Sequence, residues 1–416
     1  MVIRESYLKR IRPFYHKQLI KVIVGVRRCG KSVLLNQMRD DIKASGVSED
    51  SITLINFELY DNKPLRNADT LYEFIASRME DGKKHYVFLD EVQLVDGFED
   101  VVNSLQAGGN ASVFITGSNS KLLAGEMATL LSGRYVSFQI MPFTFNEYRK
   151  YRSEKESWLN FPHDFSHDYA PVDEELGSYL TWGGFPAVCE QNTDAERSVV
   201  IDDLYASIVL RDIMDRNAVS KGEPLQNVLD FLIANSSSLV SGKRIADTLT
   251  SNGMKMSTAK IYEYMQYIED AFIVTMLDRY NIAGKMVLKY EKKAFVCDLG
   301  FFHAKKSRNS GEFSRVVETV VCNELLARGY KVYVGKTQKG EIDFVVMQGD
   351  KRCYIQVAYL MQDEATINRE FGAFRAINDS YPKYVISMDP ITNNIDGIQH
   401  LKLIDFLQDE SLLRFG

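Results

Sequence analysis

Residues 25–32, Gly25-Val26-Arg27-Arg28-Cys29-Gly30-Lys31-Ser32, fit the phosphate-binding pattern G-x-x-x-x-G-K-[ST] at every fixed position. The apolar run at 19–24 precedes them and Val33-Leu34-Leu35-Asn36-Gln37-Met38 follows, so the segment turns a buried strand into a helix. A triphosphate needs several converging backbone N–H donors, and bulky side chains at the turn would block that approach. Gly25 and Gly30 permit the tight wrap. The helix beginning at Lys31 adds free N–H groups and the positive end of its dipole. Gly25, Val26, Arg27, Arg28, Cys29, Gly30, Lys31, Ser32 and Val33 are therefore the expected nucleotide cradle, with Lys31 on the β/γ-phosphates and Ser32 on Mg²⁺.

A hydrolase of this kind needs acids opposite the cradle. His85-Tyr86-Val87-Phe88-Leu89-Asp90-Glu91 supplies an apolar strand that ends in two carboxylates. Asp90 is expected to support the metal, largely through its water shell, and Glu91 to polarise the attacking water. A further strand, Ser112-Val113-Phe114-Ile115-Thr116-Gly117, ends in Ser118-Asn119, which either reach between the γ-phosphate and the water or form an ordinary polar turn. Arg134, at the start of the next strand, either completes a neighbouring subunit's site as an arginine finger or makes an intrachain ion pair. Strands alternating with helical spans imply an α/β class with a mostly parallel sheet covered on both faces.

Composition limits the setting. The 416 residues are 45% hydrophobic and 25% charged, enough for two or three domains with sizeable cores. No stretch approaches a membrane span, and the first residues do not read as a secretory signal. The five scattered cysteines, Cys29, Cys189, Cys297, Cys322 and Cys353, show no metal or redox spacing, so a cytoplasmic location is expected. A net charge of −6 places any nucleic-acid contact on local patches.

Several segments together resemble the bacterial and archaeal AAA-superfamily ATPases with a C-terminal DUF4143-type region. They are the phosphate loop, Val87-Phe88-Leu89-Asp90-Glu91-Val92-Gln93, Ile115-Thr116-Gly117-Ser118-Asn119, Leu131-Ser132-Gly133-Arg134-Tyr135, Pro142-Phe143-Thr144-Phe145-Asn146-Glu147-Tyr148 and Gly183-Gly184-Phe185-Pro186. The resemblance implies a P-loop core in which the strand before Ser118-Asn119 lies between the strands of the two nucleotide motifs. It also implies that Asn56, at the end of the second strand, restrains Glu91 until a partner binds.

Beyond the core, residues 146–215 read as a helical lid or connector, within which Arg211 either senses nucleotide or pairs with a nearby Asp. His163 and His167, beside Pro162, read as a loop rather than a metal site. Residues 216–290 read as a winged helix: two short helices joined by Ser251-Asn252-Gly253-Met254-Lys255, with Ser257 as N-cap, then a β element at 273–280. Thr258, Lys260, Tyr262 and Tyr264 are expected to face a groove, with Lys243, Arg244 and Lys255 on phosphates. Such modules also bind proteins.

From 291 to 416, a helix carrying Glu318, a strand carrying Asp343 and a following strand carrying Gln356-Val357-Ala358 resemble a restriction-endonuclease-like fold. A nuclease of that kind needs E-x-K where this chain has Gln356 and Ala358, so the region is expected to bind DNA or a subunit without cutting. The expected organisation is thus a P-loop ATPase core at 1–145 followed by these three modules. Its expected work is Mg²⁺-dependent ATP hydrolysis coupled to DNA, as a homo-oligomer, a ring among its forms. A nucleotide-controlled protein scaffold is the alternative and an active nuclease the third reading.

Overall fold

The computed structural model describes residues 2–79, 82–120, 133–156, 174–220, 222–304, 313–338 and 340–416. His163, His167, Leu131 and Ser132 lie outside the described residues. The chain divides into two compact units, one of Val2–Ile140 with Asp270–Phe272, the other of Met141–Glu269 with Ile273–Gly416.

In the first unit, α1 (Glu5–Ile11) leads to β1 (Ile20–Val24), α2 (Lys31–Ala44), β2 (Ile52–Asn56), α3 (Ala68–Ala76), β3 (His85–Asp90), α4 (Phe98–Ala107), β4 (Ala111–Gly117) and β5 (Tyr135–Gln139). The strands form one sheet in the order β2-β3-β4-β1-β5, every ladder parallel. Strands β1, β3 and β4 are buried along their whole length, as continuous apolar runs in a two-sided sheet must be. The sheet order agrees with the expectation that β4 separates the strands of the two nucleotide motifs. That order brings the ends of β1, β3 and β4 side by side.

Polar residues enter this core as well, Lys21 and Ser112 among them. The ammonium of Lys21 in β1 donates to Ser112 Oγ at 2.6 Å and to the Lys17 carbonyl at 3.1 Å, and burial pulls its pKa down to about 7.

The second unit begins with helices α5 (Phe145–Glu156), α6 (Glu174–Trp182) and α7 (Asp194–Ser207), the last continued by a π-helical stretch at Ile208–Asp215. Arg211 is exposed there; the ion pair in this stretch joins Arg216 to Asp212 at 3.2 Å. The Gly183-Gly184 pair has a packing cause. Gly183 has a φ of +74°, and a Cβ on it would lie 1.8 Å from Asp298 Oδ1, while one on Gly184 would lie 2.1 Å from the Phe143 carbonyl oxygen. Buried Asp298 accepts the N–H groups of Gly184 at 2.7 Å and Gly300 at 2.9 Å.

Next come α8 (Gly222–Ala234), β6 (Ser238–Val240), α9 (Gly242–Ser251), α10 (Thr258–Asp270), β7 (Val274–Asn281) and β8 (Met286–Val296). After them lie α11 (Phe313–Ala327), β9 (Lys331–Lys336), β10 (Glu341–Gln348), β11 (Lys351–Val357), α12 (Glu364–Gly372), β12 (Lys383–Ser387) and β13 (Gln399–Lys402). The strands make one sheet in the order β13-β12-β11-β10-β9-β7-β8-β6. The boundary expected at 290/291 therefore falls inside β8, and β7 pairs with both β8 and β9. Backbone ladders join what the sequence suggested as two modules.

Candidate nucleotide and acidic sites

The loop after β1 closes tightly. Gly25 has no room for a side chain: a Cβ there would lie 2.2 Å from the Ile140 carbonyl oxygen. Gly30 has a φ of +101° and Arg28 a φ of +61°, the left-handed turns that let the backbone double back before α2. Arg4 is fully buried, and its guanidinium donates to the Cys29 carbonyl at 3.0 Å. Gln37 of α2 accepts the Arg4 N–H and donates to the Val2 carbonyl. Cys29 is buried, as are the other four free cysteines, and its thiol pKa is raised by that burial. Arg27 is paired with Glu58 at 3.3 Å, Arg28 is exposed and Val33 is 40% exposed.

Lys31 is 4% exposed. Its ammonium donates to the carbonyls of Gly25 at 3.2 Å and Val26 at 3.3 Å and lies 3.6 Å from Glu91 Oε1. The lysine and the carboxylate thus meet across the loop. Asp90, 2% exposed, accepts hydrogen bonds from Thr116 Oγ1 at 2.6 Å and from the Ser32 hydroxyl. Burial raises its pKa, and those two donors oppose the rise. A carboxylate kept in low dielectric beside a serine hydroxyl fits a Mg²⁺ ion that retains most of its water, so Ser32 and Asp90 are chemically suited to it.

Glu91 sits at φ +56°, on the turn after β3. Its N–H donates to Thr116 Oγ1 at 2.9 Å, and its Oε2 accepts from the Gln93 amide. Among the described residues Asn56 makes no contact with the Glu91 carboxylate; its Oδ1 accepts the Glu58 N–H at 2.8 Å. No hydrogen bond joins the Asn56 amide nitrogen, the group that could donate to a carboxylate, to Glu91 among the described residues. Ser118 and Asn119 are buried at the end of β4. Arg134 is exposed and makes no ion pair among the described residues. Arg4 and Gln37 carried no sequence signal, and Thr116 and Gln93 lie within the segments of the family resemblance without a role of their own there.

With these contacts, Lys31→Ala is expected to abolish nucleotide binding, since no other ammonium lies in the loop. Titration with a fluorescent ATP analogue checks this, and binding within tenfold of the wild type would remove Lys31 from the phosphate site.

In the second unit the expected groups also meet. Gln356 accepts the Asp343 N–H at 3.3 Å and donates to Glu370 Oε2 at 2.9 Å; Ala358 is buried. An ammonium that the motif reading did not include stands among the acids. Lys293 of β8 contacts Glu318 and lies 3.0 Å from Glu341 Oε1 and 3.5 Å from Asp343 Oδ1. Burial opposes the charge on Lys293, but Glu318, Asp343 and Glu341 hold its pKa above the ordinary value. Burial raises both Glu318 and Asp343; the charge of Asp343 raises Glu318 further, those of Glu370 and Glu341 raise Asp343, and Lys293 opposes the rise at both. Period-two alternation along β8 puts Lys293 on the same face as Phe295 and opposite Lys292, the one signal that could have found it.

On α9, α10 and the segment between them, Lys243, Arg244, Lys255 and Thr258 are exposed. Arg244 also donates to the Leu239 carbonyl, and Lys260 is paired with Glu263 at 2.8 Å. Ser257 accepts the Lys260 N–H, as an N-cap does. Tyr264 does not face a groove: Ile261, Tyr264, Met265 and Ile268 form the buried stripe of α10 at helical spacing.

Three family models match the chain in succession. An AAA domain matches residues 17–149, a domain of unknown function (DUF8612) residues 173–312, and another (DUF4143) residues 313–403. An uncharacterized protein of Haemophilus influenzae is 35% identical over 410 residues, 98% of each chain. This chain belongs to the AAA ATPases with a C-terminal DUF4143 region. An uncharacterized protein of Methanocaldococcus jannaschii is 29% identical and spans 93% of this AAA–DUF4143 chain and 85% of its own. Among solved structures, Cdc6p from Pyrobaculum aerophilum aligns at 11% identity with a TM-score of 0.32, covering 76% of this chain and 93% of its own. Aeropyrum pernix ORC1 in complex with DNA aligns at 13% and 0.31, covering 74% and 92%. Scores this low establish no shared overall fold, so the family assignment rests on sequence. Among the described residues, no helix of this AAA–DUF4143 protein is long and apolar enough to cross a membrane.

Proposed function

We propose that this protein is a Mg²⁺-dependent ATPase that couples ATP binding and hydrolysis to the binding, translocation or remodelling of DNA, working as a homo-oligomer. The observation that carries the ATPase reading is the convergence of Lys31, Ser32, Asp90 and Glu91 at the ends of β1 and β3. On ATP binding, Lys31 exchanges its loop carbonyls for phosphate oxygens. Ser32 and Asp90 would hold Mg²⁺, which when bound would supply charge neutralisation to the phosphates. Glu91 takes a proton from the attacking water, Asn119 orients that water, and Arg134 acts in a neighbouring subunit.

The DNA role rests on α8, β6, α9, α10 and the β7–β8 hairpin, whose order and antiparallel β6–β8–β7 pairing support a winged helix. Lys243, Arg244, Lys255, Thr258 and Lys260 are its candidate DNA contacts. The region from 291 onward we read as a nuclease-like fold without cleavage. Lys293 fills the space among Glu318, Glu341 and Asp343 that a metal would need, and Gln356 is committed to Glu370.

A second reading, a nucleotide-controlled switch acting on protein partners, is favoured by the pairing of Lys260 with Glu263 and by the net charge of −6. ATP hydrolysis measured with and without double-stranded DNA across a salt series separates the two. Stimulation lost on raising salt is expected for DNA contacts through phosphates. A rate indifferent to DNA, with nucleotide-dependent assembly, would select the switch.

A further inference from the structure

We infer that Arg4 is a positioning residue of the phosphate loop: from behind the loop it fixes the Cys29–Gly30 peptide so that the Gly30 N–H is presented to the phosphates of a nucleotide. This rests on the reading of residues 25–33 as the nucleotide cradle. Arg4 is fully buried, and its Nη1 donates to the Cys29 carbonyl oxygen at 3.0 Å. A trans peptide is planar, with its C=O and N–H pointing in opposite directions. With the Cys29 oxygen held on the Arg4 side, the Gly30 N–H faces the other way. That donor meets no acceptor among the described residues. Gly30 is the N-cap of α2, next to Lys31 and Ser32, where a phosphate oxygen would complete the donor's bonding. A cation on the carbonyl also polarises the peptide and strengthens the N–H on its far side.

Arg4 is itself held in place. Its guanidinium carbon lies 4.6 Å from the centre of the buried Tyr7 ring. Gln37 of α2 clasps the backbone around it: Oε1 accepts the Arg4 N–H at 3.1 Å, and the amide donates to the Val2 carbonyl at 2.7 Å. The Arg4 carbonyl then accepts the N–H groups of Tyr7 and Leu8 as α1 begins. The segment ahead of α1 is thus tied to the same helix that the phosphate loop enters. Its route runs to the loop backbone, which cradles the phosphates common to ADP and ATP. Arg4 is therefore expected to govern binding and not the chemical step.

The test is titration with fluorescent ADP and ATP analogues, beside steady-state ATP hydrolysis, for Arg4→Met, Arg4→Lys, Gln37→Met and Lys31→Ala in the full chain. Arg4→Met keeps an unbranched stem and removes charge and donors. It is expected to weaken ADP and ATP alike by about tenfold, the scale of one hydrogen bond to a charged group, with kcat at saturating ATP unchanged. Arg4→Lys keeps a cation for the same carbonyl and is expected to recover affinity to within about threefold of the wild type. A role confined to folding would lower the melting temperature of Arg4→Met and leave the affinity of the folded protein as it was. Unchanged affinity in Arg4→Met overturns the inference, as does a loss confined to ATP, a fall in kcat at saturation, or an Arg4→Lys protein that binds no better than Arg4→Met. Should Arg4→Met not fold, Gln37→Met decides, because it leaves the guanidinium in place and releases its backbone: a loss of about threefold shared by ADP and ATP is expected, and unchanged affinity overturns the inference. Nucleotide binding that survives Lys31→Ala would instead overturn the cradle reading of residues 25–33.

Discussion

Replacing Glu91 with glutamine is expected to lower ATP turnover by about 10²–10⁴-fold while leaving nucleotide affinity within a few-fold of the wild type. The amide has nearly the carboxylate's shape but no capacity to take the proton of the attacking water. Glu91 contacts Gln93 and, through its N–H, Thr116, neither of which belongs to the phosphate loop, and it meets Lys31 only at that side chain's ammonium. Binding and chemistry should therefore separate, in contrast to Lys31→Ala, where both go together. Single-turnover hydrolysis beside equilibrium nucleotide titration makes the measurement. Turnover within threefold of the wild type would move the base elsewhere, and parallel loss of binding would mean that Glu91 shapes the loop.

Lys293→Met is expected to destabilise the second unit by about 3–5 kcal/mol at neutral pH, because it leaves three carboxylates without their buried counter-charge. Lys293 is 4% exposed, and Glu318, Glu341 and Asp343 all lie within 3.5 Å of its ammonium. The pH dependence has a definite sign. Glu318 and Asp343 have pKa values raised above the ordinary carboxylate range, so across the interval between ordinary and raised values the folded protein holds more protons than the unfolded one. Stability from these groups falls as pH climbs through that interval. Removing the lysine raises both values further and widens the interval, so the variant should lose more against the wild type at pH 8 than at pH 5. Denaturant unfolding at the two pH values checks this; an equal loss at both would show that Lys293 contributes packing alone.

The nucleotide site was legible because its chemistry is concentrated in two short runs. A strand, six loop residues and a helix start fix Lys31 and Ser32, and an apolar strand fixes Asp90 and Glu91, so local spacing determines most of the geometry. Arg4 and Thr116 were not legible. Their contacts to Cys29, Asp90 and Glu91 arise from the packing of distant segments, and neither residue type announces such a role. The same limit explains Gln356 and Ala358. Reading the motif along one strand showed a missing ammonium, while the sheet order brings Lys293 to the acids from β8. Tyr264 was misplaced for another reason: alternating tyrosines and charges in α10 hide a buried stripe that only the 3.6-residue period separates from the exposed face.

The ladder between β7 and β9 has a practical consequence for anyone shortening this chain. Ending it at 290 would strip β9 from β7 and remove Lys292–Val296, which pairs with both β6 and the first half of β7. Val274, Met276 and Leu277, all buried in the intact sheet, would then line a strand bare on both sides. Such an apolar edge recruits other chains, so fragments divided there would be sticky for reasons unrelated to their native partners.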